Sequence, residues 1–234
     1  MSLLGTIVNG AAIVLGSLLG FIFQNISDKM KATVLQGIGL AVIILGVGMG
    51  LKSGQFLIVI MSIAIGSALG ELWNLEDKLN RLGAWVEKKV GSKEKGSIAK
   101  GFVTATLVYV VGAMAIVGSL DSGLRQDHTV LYTKSLLDGI SAIVFTSALG
   151  IGVLFSAVPV IVYQGVITLF ATQIHLFVPK ELMDQMILEI TATGGIMIVA
   201  IGLNILQITS IRVANMLPSL LFTVIFVVLL HMNA

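Results

Sequence analysis

LDGISAIVFTSALGIGVLFSAVPVIVYQ, Leu137 to Gln164, carries one carboxylate, Asp138, in a long run of apolar and small residues. No other Asp, Glu, Lys or Arg appears until Lys180. A lone acid in such a run is costly in hydrocarbon and marks either a paired group or a working one. Two readings stay open for Asp138. It pairs near the membrane surface with Lys134, one helical turn before it, or it serves as a proton or cation site or a substrate contact.

The rest of the chain supplies the solvent for that stretch. Of 234 residues, 56% are hydrophobic and 11% charged, against roughly 25% charged in a soluble domain. No single core hides that much apolar surface, so the surroundings are lipid. Apolar runs of about 20 residues point to helices rather than a barrel. The expected fold is all-α, a polytopic membrane protein with about eight apolar segments. They fall near residues 3–23, 33–51, 56–72, 101–120, 133–155, 158–177, 188–206 and 213–232. The connection between the fifth and sixth, Phe155-Ser156-Ala157-Val158-Pro159, has no charge. It is read either as a tight hairpin or as the tip of a re-entrant pair.

One sizeable polar connection, residues 73–100, separates the third and fourth segments. Leu72, Leu75, Leu79, Leu82 and Val86 recur at helical spacing, with Asp77, Lys78, Arg81, Lys88 and Lys89 around them. The only tryptophans, Trp73 and Trp85, stand here. This predicts an amphipathic helix in the headgroup region. With eight crossings, ten Lys and Arg fall on its side and four, Lys52, Arg125, Lys134 and Lys180, on the other. The positive-inside rule then places 73–100 in the cytoplasm and both termini outside. The expected organisation is one membrane domain, 1–234. It comprises a three-span unit 1–72, the connection 73–100, central spans 101–157 and a second three-span unit 158–234.

The two three-span units look related. Asn9-Gly10 lies on Gln164-Gly165 after a one-residue shift, and Gly39 and Gly46 lie on Gly195 and Gly202. Matching segments are five apart, so the units would be inverted, an arrangement found in secondary transporters with the site at the midplane. Similar apolar helices give such matches cheaply, so ordinary packing is the competing explanation.

The polar residues inside the segments are the candidates for a solute or ion path: Asp138, Asn9, Gln164, Asn204 and Tyr163. Each neutral one alone is better explained as interhelical glue; together they would line a path. Asp138-Gly139, Asn9-Gly10 and Gln164-Gly165 would then surround one site, with side chains facing protein or water. The residues do not point to an enzyme. The three histidines are scattered, there is no cysteine, and no phosphate loop or HExxH occurs. No catalytic residue, metal or cofactor is expected, and the net charge of +2 does not suggest nucleic acid. Glu71 and Glu189 lie near segment ends, where an acid reaches water.

Phe102–Leu120, Thr133–Thr168 and the opening LGTIVNGAAIVLGSLLG resemble the YqgA/YdfK-type proteins, multi-pass bacterial inner-membrane proteins grouped as a domain of unknown function. The resemblance covers essentially the whole chain. It implies a bacterial plasma-membrane location and no established substrate or site residue. The reading that follows is a small transporter or permease, a homodimer in the bilayer, moving an unnamed solute or ion. The alternative is a scaffold or regulator working through 73–100.

Overall fold

Helix after helix forms with small and polar residues inside and large apolar ones outside. In α1 (Leu4–Ile22) the buried residues are Gly5, Thr6, Asn9, Gly10, Ile13, Gly16, Ser17 and Gly20. Leu15, Leu18, Leu19, Phe21 and Ile22 are exposed. A water-soluble helix has the opposite pattern. In lipid, apolar side chains gain nothing from facing inward, and helices associate through close backbone approach and hydrogen bonds.

The structure is a computed structural model that describes residues 1–23, 28–90 and 97–232. Gln24, Asn25, Ser27, Lys93 and Lys95 lie outside the described residues. After α1 come α2 (Asp28–Gly50), α3 (Phe56–Trp73), α4 (Leu75–Val90), α5 (Ser97–Val110), α6 (Ala113–Arg125), α7 (Thr129–Leu149), α8 (Ala157–Leu169), α9 (Ala171–Phe177), α10 (Lys180–Ile205) and α11 (Pro218–Met232). Short 3-10 turns, Ile151–Ser156 and Val213–Met216, lead into α8 and α11. The protein is an all-α membrane protein. Among the described residues, six segments are long and apolar enough to cross a bilayer: 4–22, 32–50, 56–73, 151–169, 180–205 and 213–232.

Two expectations about the middle of the chain are redrawn. The fourth segment is broken: α5 and α6 meet at a bend of 62°. The break falls at Gly112, whose φ of 149° suits a residue without Cβ; counted as one span, the pair makes a seventh. The fifth and sixth segments do not turn at 155–159. The chain turns at Gly150, with φ 87°, and residues 151–169 run on as one helical segment. Pro159 sits in the first turn of α8, where its missing N–H costs nothing. The expected fifth segment falls on α7, which is not among the six and contains both Lys134 and Asp138.

The contacts divide the chain into two compact units. The first comprises residues 1–35, 79–110 and 114–174. In it α1 runs parallel to α7 and antiparallel to α8. Gly20 backs onto Ile143 and Thr146 of α7, Gly10 onto Ile161 of α8, and Leu3 reaches Gly165. The second comprises residues 36–78, 111–113 and 175–234. Here the later part of α2 packs antiparallel on α10, and α3 packs on α11, with Gly66 against Ser219. The sequence-based units 1–72 and 158–234 are thus each shared between the two compact units. The glycines that matched in the proposed repeat are packing partners: Gly46 lies against the Gly195 carbonyl, and Gly39 against the Gly202 carbonyl. Two helices in close contact need small residues at the same interval, which accounts for the shared spacing.

Candidate functional site: a buried ion pair in the first unit

α7 brings Lys134 and Asp138 to the same face, one turn apart. The Lys134 ammonium donates to Asp138 Oδ1 at 3.0 Å and stands 2.9 Å from Oδ2. Asn9 of α1 donates its amide N–H to Oδ2 at 3.1 Å. Lys134 is 7% exposed, Asp138 6% and Asn9 0%. The pair is therefore internal. Asp138 lies more than two turns into α7 rather than near its start, and Lys134 is no surface charge. Small residues make this depth possible, because Gly16 lets α1 approach the Gly139 carbonyl of α7.

The same unit holds further buried polar atoms with no hydrogen-bond partner among the described residues. They include Asn9 Oδ1, both amide atoms of Gln164, and the hydroxyls of Thr6, Thr106, Tyr109, Ser119, Thr146 and Thr168. Gln164 is fully buried on α8. The Leu3–Gly165 and Gly10–Ile161 contacts bracket Thr6 on α1 and Gln164 on α8, placing both at the level of Asn9. Tyr109, at the end of α5, stacks on Phe145 of α7 at 6.1 Å between ring centres and lies within electrostatic reach of Asp138. Buried polar groups are nearly always paired. So many orphans in one apolar unit mark a place built for water, an ion or a polar solute.

Of the sequence candidates, Asp138 and Asn9 touch, and Gln164 is buried on the helix beside them. Tyr163 is half-buried next to Gln164. Asn204 belongs to the second unit. Its Oδ1 accepts from the Ile211 N–H and the Thr209 hydroxyl, and its Nδ2 donates to the Ile211 carbonyl, closing the turn after α10. The pairing of Asp138 with Lys134, one of the two readings of the sequence, is present, but inside the protein rather than near the membrane surface. Sequence reasoning did not select Tyr109, which nothing local marks.

The second unit holds its acids differently. Glu189, expected to reach water, is only 3% exposed. Its Oε1 accepts the N–H groups of Gly54 and Gln55 at 2.8 and 3.0 Å, and its Oε2 the Ser53 hydroxyl at 2.6 Å. It ties residues 53–55, just ahead of α3, to α10. Glu71 takes Arg212 on one oxygen and Asn215 on the other, while Glu76 accepts the Ala214 N–H. These carboxylates are satisfied and read as structural. Among the described residues no three His, Asp or Glu gather as a metal site.

On α4, Leu75 and Leu79 are half-buried and Gly83 and Glu87 buried, with Gly83 against Ala99 of α5. Lys78, Arg81, Leu82, Trp85 and Lys88 are exposed along the opposite face. The helix therefore turns cations and an indole outward together.

Residues 4–228 match the family described as protein of unknown function DUF554. The chain belongs to this family. It is 35% identical over 232 residues to "Uncharacterized membrane protein YdfK" of Bacillus subtilis (strain 168), covering 97% of this chain and 96% of that one. It is 26% identical over 223 residues to "Uncharacterized protein YqgA" of Escherichia coli (strain K12), covering 93% of each. No solved structure matches.

Proposed function

We propose that this protein is a small transporter or permease of the bacterial plasma membrane, moving a small polar solute or ion through the interior of its first unit. The observation that supports this reading most is the buried Lys134–Asp138 pair, held by Asn9 in a unit that also contains many unpartnered polar atoms. A purely structural interior would satisfy those groups or replace them with apolar ones, since an unpaired buried group costs about 1–3 kcal/mol. In this proposal the termini face outward and residues 73–100 face the cytoplasm. The working form is a homodimer, a proposal in keeping with the open surroundings of Gly37 and Gly48 on α2.

Reconstitution into liposomes on a sensor surface, with a panel of small ions and solutes applied, tests it. Net uptake of at least one tracer by the wild type, lost in Asp138→Asn, is expected. A folded wild-type protein that moves none of the panel sinks the proposal.

A second reading, a membrane-surface regulator, rests on the cationic, tryptophan-bearing face of α4. It requires that charge reversal on this face, and not Asp138→Asn, removes the cellular phenotype.

A further inference from the structure

The geometry points to a proton as the coupling ion and a small anion as the co-transported solute, both acting on the Lys134–Asp138 pair. This inference rests on the transport reading and names its chemistry. The position that a metal cation would take beside Asp138 is already filled. The Lys134 ammonium covers both carboxylate oxygens, at 3.0 and 2.9 Å, and Asn9 Nδ2 adds a third donor. A sodium or potassium ion would have to displace an ammonium tethered in the same helix. A proton needs only one oxygen.

The consequence follows from charge balance. Lys134 and Asp138 together are neutral, and buried charge is tolerated only when compensated. When a proton adds to Asp138, an O–H bond forms and the carboxylate charge disappears. Lys134 then stands as an uncompensated cation, and an anion arriving at its Nζ restores neutrality. Orphan donors on the helices packed with α7 in this unit, the Thr6 hydroxyl on α1 and Gln164 Nε2 on α8, suit the oxygens of a small oxyanion or carboxylate. Release of the anion and loss of the Asp138 proton re-form the pair. One proton and one monovalent anion move together, so the cycle carries no net charge. The titratable groups facing the pair are few: Tyr109 from α5 lies within electrostatic reach, while α1 supplies Asn9 and no ionisable side chain. Tyr163 stands on α8, and Asp121 and Arg125 of α6 pair with each other.

The test uses the full chain in liposomes with an internal pH-sensitive dye, and formate, acetate, nitrate and chloride as probes in sodium and potassium salts. Wild-type vesicles are expected to acidify when an inward anion gradient is applied for at least one probe, independent of which cation is present. Asp138→Asn, which mimics the protonated state, should keep anion exchange while losing acidification by tenfold or more. Lys134→Gln should lose both. If the single Lys variant does not fold, the double variant Lys134→Gln with Asp138→Asn leaves no unpaired charge and should also lose both. Uptake that follows sodium or potassium, or anion–proton movement surviving in the double variant, overturns the inference while leaving transport standing. A wild type that moves none of the probes, in either direction, overturns the inference; a protein silent toward the wider panel overturns the transport reading as well.

Discussion

Asn9 donates to Asp138 across 129 residues of sequence, and the bond ties the first helix of the chain to the helix that carries its buried acid. The Asn9 amide and the Lys134 ammonium share the load on one carboxylate, so removing either partner leaves a charge or an acceptor short in a buried interior.

The first prediction concerns that balance. Asp138→Ala strands Lys134 and should cost about 3–5 kcal/mol, as should Lys134→Met, which strands Asp138. The double variant Lys134→Met with Asp138→Ala should cost clearly less than the sum. Thermal unfolding of all four proteins in detergent measures the cycle. Additive losses would show that the pair is not coupled.

Glu189 gives the second. Its carboxylate binds the Ser53 hydroxyl and two N–H groups ahead of α3. Glu189→Ala should lower stability by about 2 kcal/mol, in the range for charge-assisted hydrogen bonds left unmade. It should speed proteolysis near residues 52–56 before elsewhere. Unchanged cleavage there would show that Glu189 does not hold this connection.

The third is a pH dependence. The Asp127 carboxylate accepts the Thr129 N–H at 3.0 Å. That backbone bond, then the Thr129 side chain, holds its carboxyl below the usual range. A depressed folded-state value means the stabilisation is fully present above the unfolded value of about 4. It is lost as pH falls through the folded value. The difference in melting temperature between wild type and Asp127→Ala should favour wild type at neutral pH and vanish in acid. A difference that grows in acid would reverse the sign and refute the assignment.

The fourth tests packing in the second unit. A Cβ on Gly46 meets the Gly195 carbonyl and the Val199 backbone. Gly46→Leu should therefore separate α2 from α10 and cost 1–3 kcal/mol, roughly, or prevent folding. A variant as stable as wild type would show that the helices do not approach this closely.

The fifth concerns α4. Its exposed Lys78, Arg81 and Lys88 flank Trp85, which is 58% exposed. Each cation near an anionic surface contributes about 1 kcal/mol. Exchanging the three for Glu should weaken association with anionic lipid in nanodiscs and reduce its salt dependence. Equal retention of anionic lipid by the variant would argue that this face does not touch headgroups.

Much of the architecture was readable beforehand because lipid simplifies the problem. Composition alone required helices, and the burial of Gly16, Gly20, Gly46 and Gly66 follows from close packing where the hydrophobic effect gives no direction. The depth of Asp138 was not readable, because the identity of a span end depends on where α7 begins. It begins at Thr129 and the chain turns at Gly150, whereas hydropathy placed the segment four residues later and the turn at 155–159. The break at Gly112 was equally hidden, since one glycine in an apolar run has no local sign that distinguishes a bend from a packing contact.

By itself the sequence determined an all-helical membrane protein, its family resemblance and the singular position of Asp138, because these follow from composition and from the cost of charge in hydrocarbon. The tertiary structure decided which polar residues meet. It brought Asn9 of α1 onto the Lys134–Asp138 pair and buried that pair inside the first unit, while Asn204 closes a turn in the other unit. The spacing on α7 carries the pair itself, but the contact with Asn9 and the depth of the pair depend on the relative rotation and register of packed helices. No single helix carries that information along its own length.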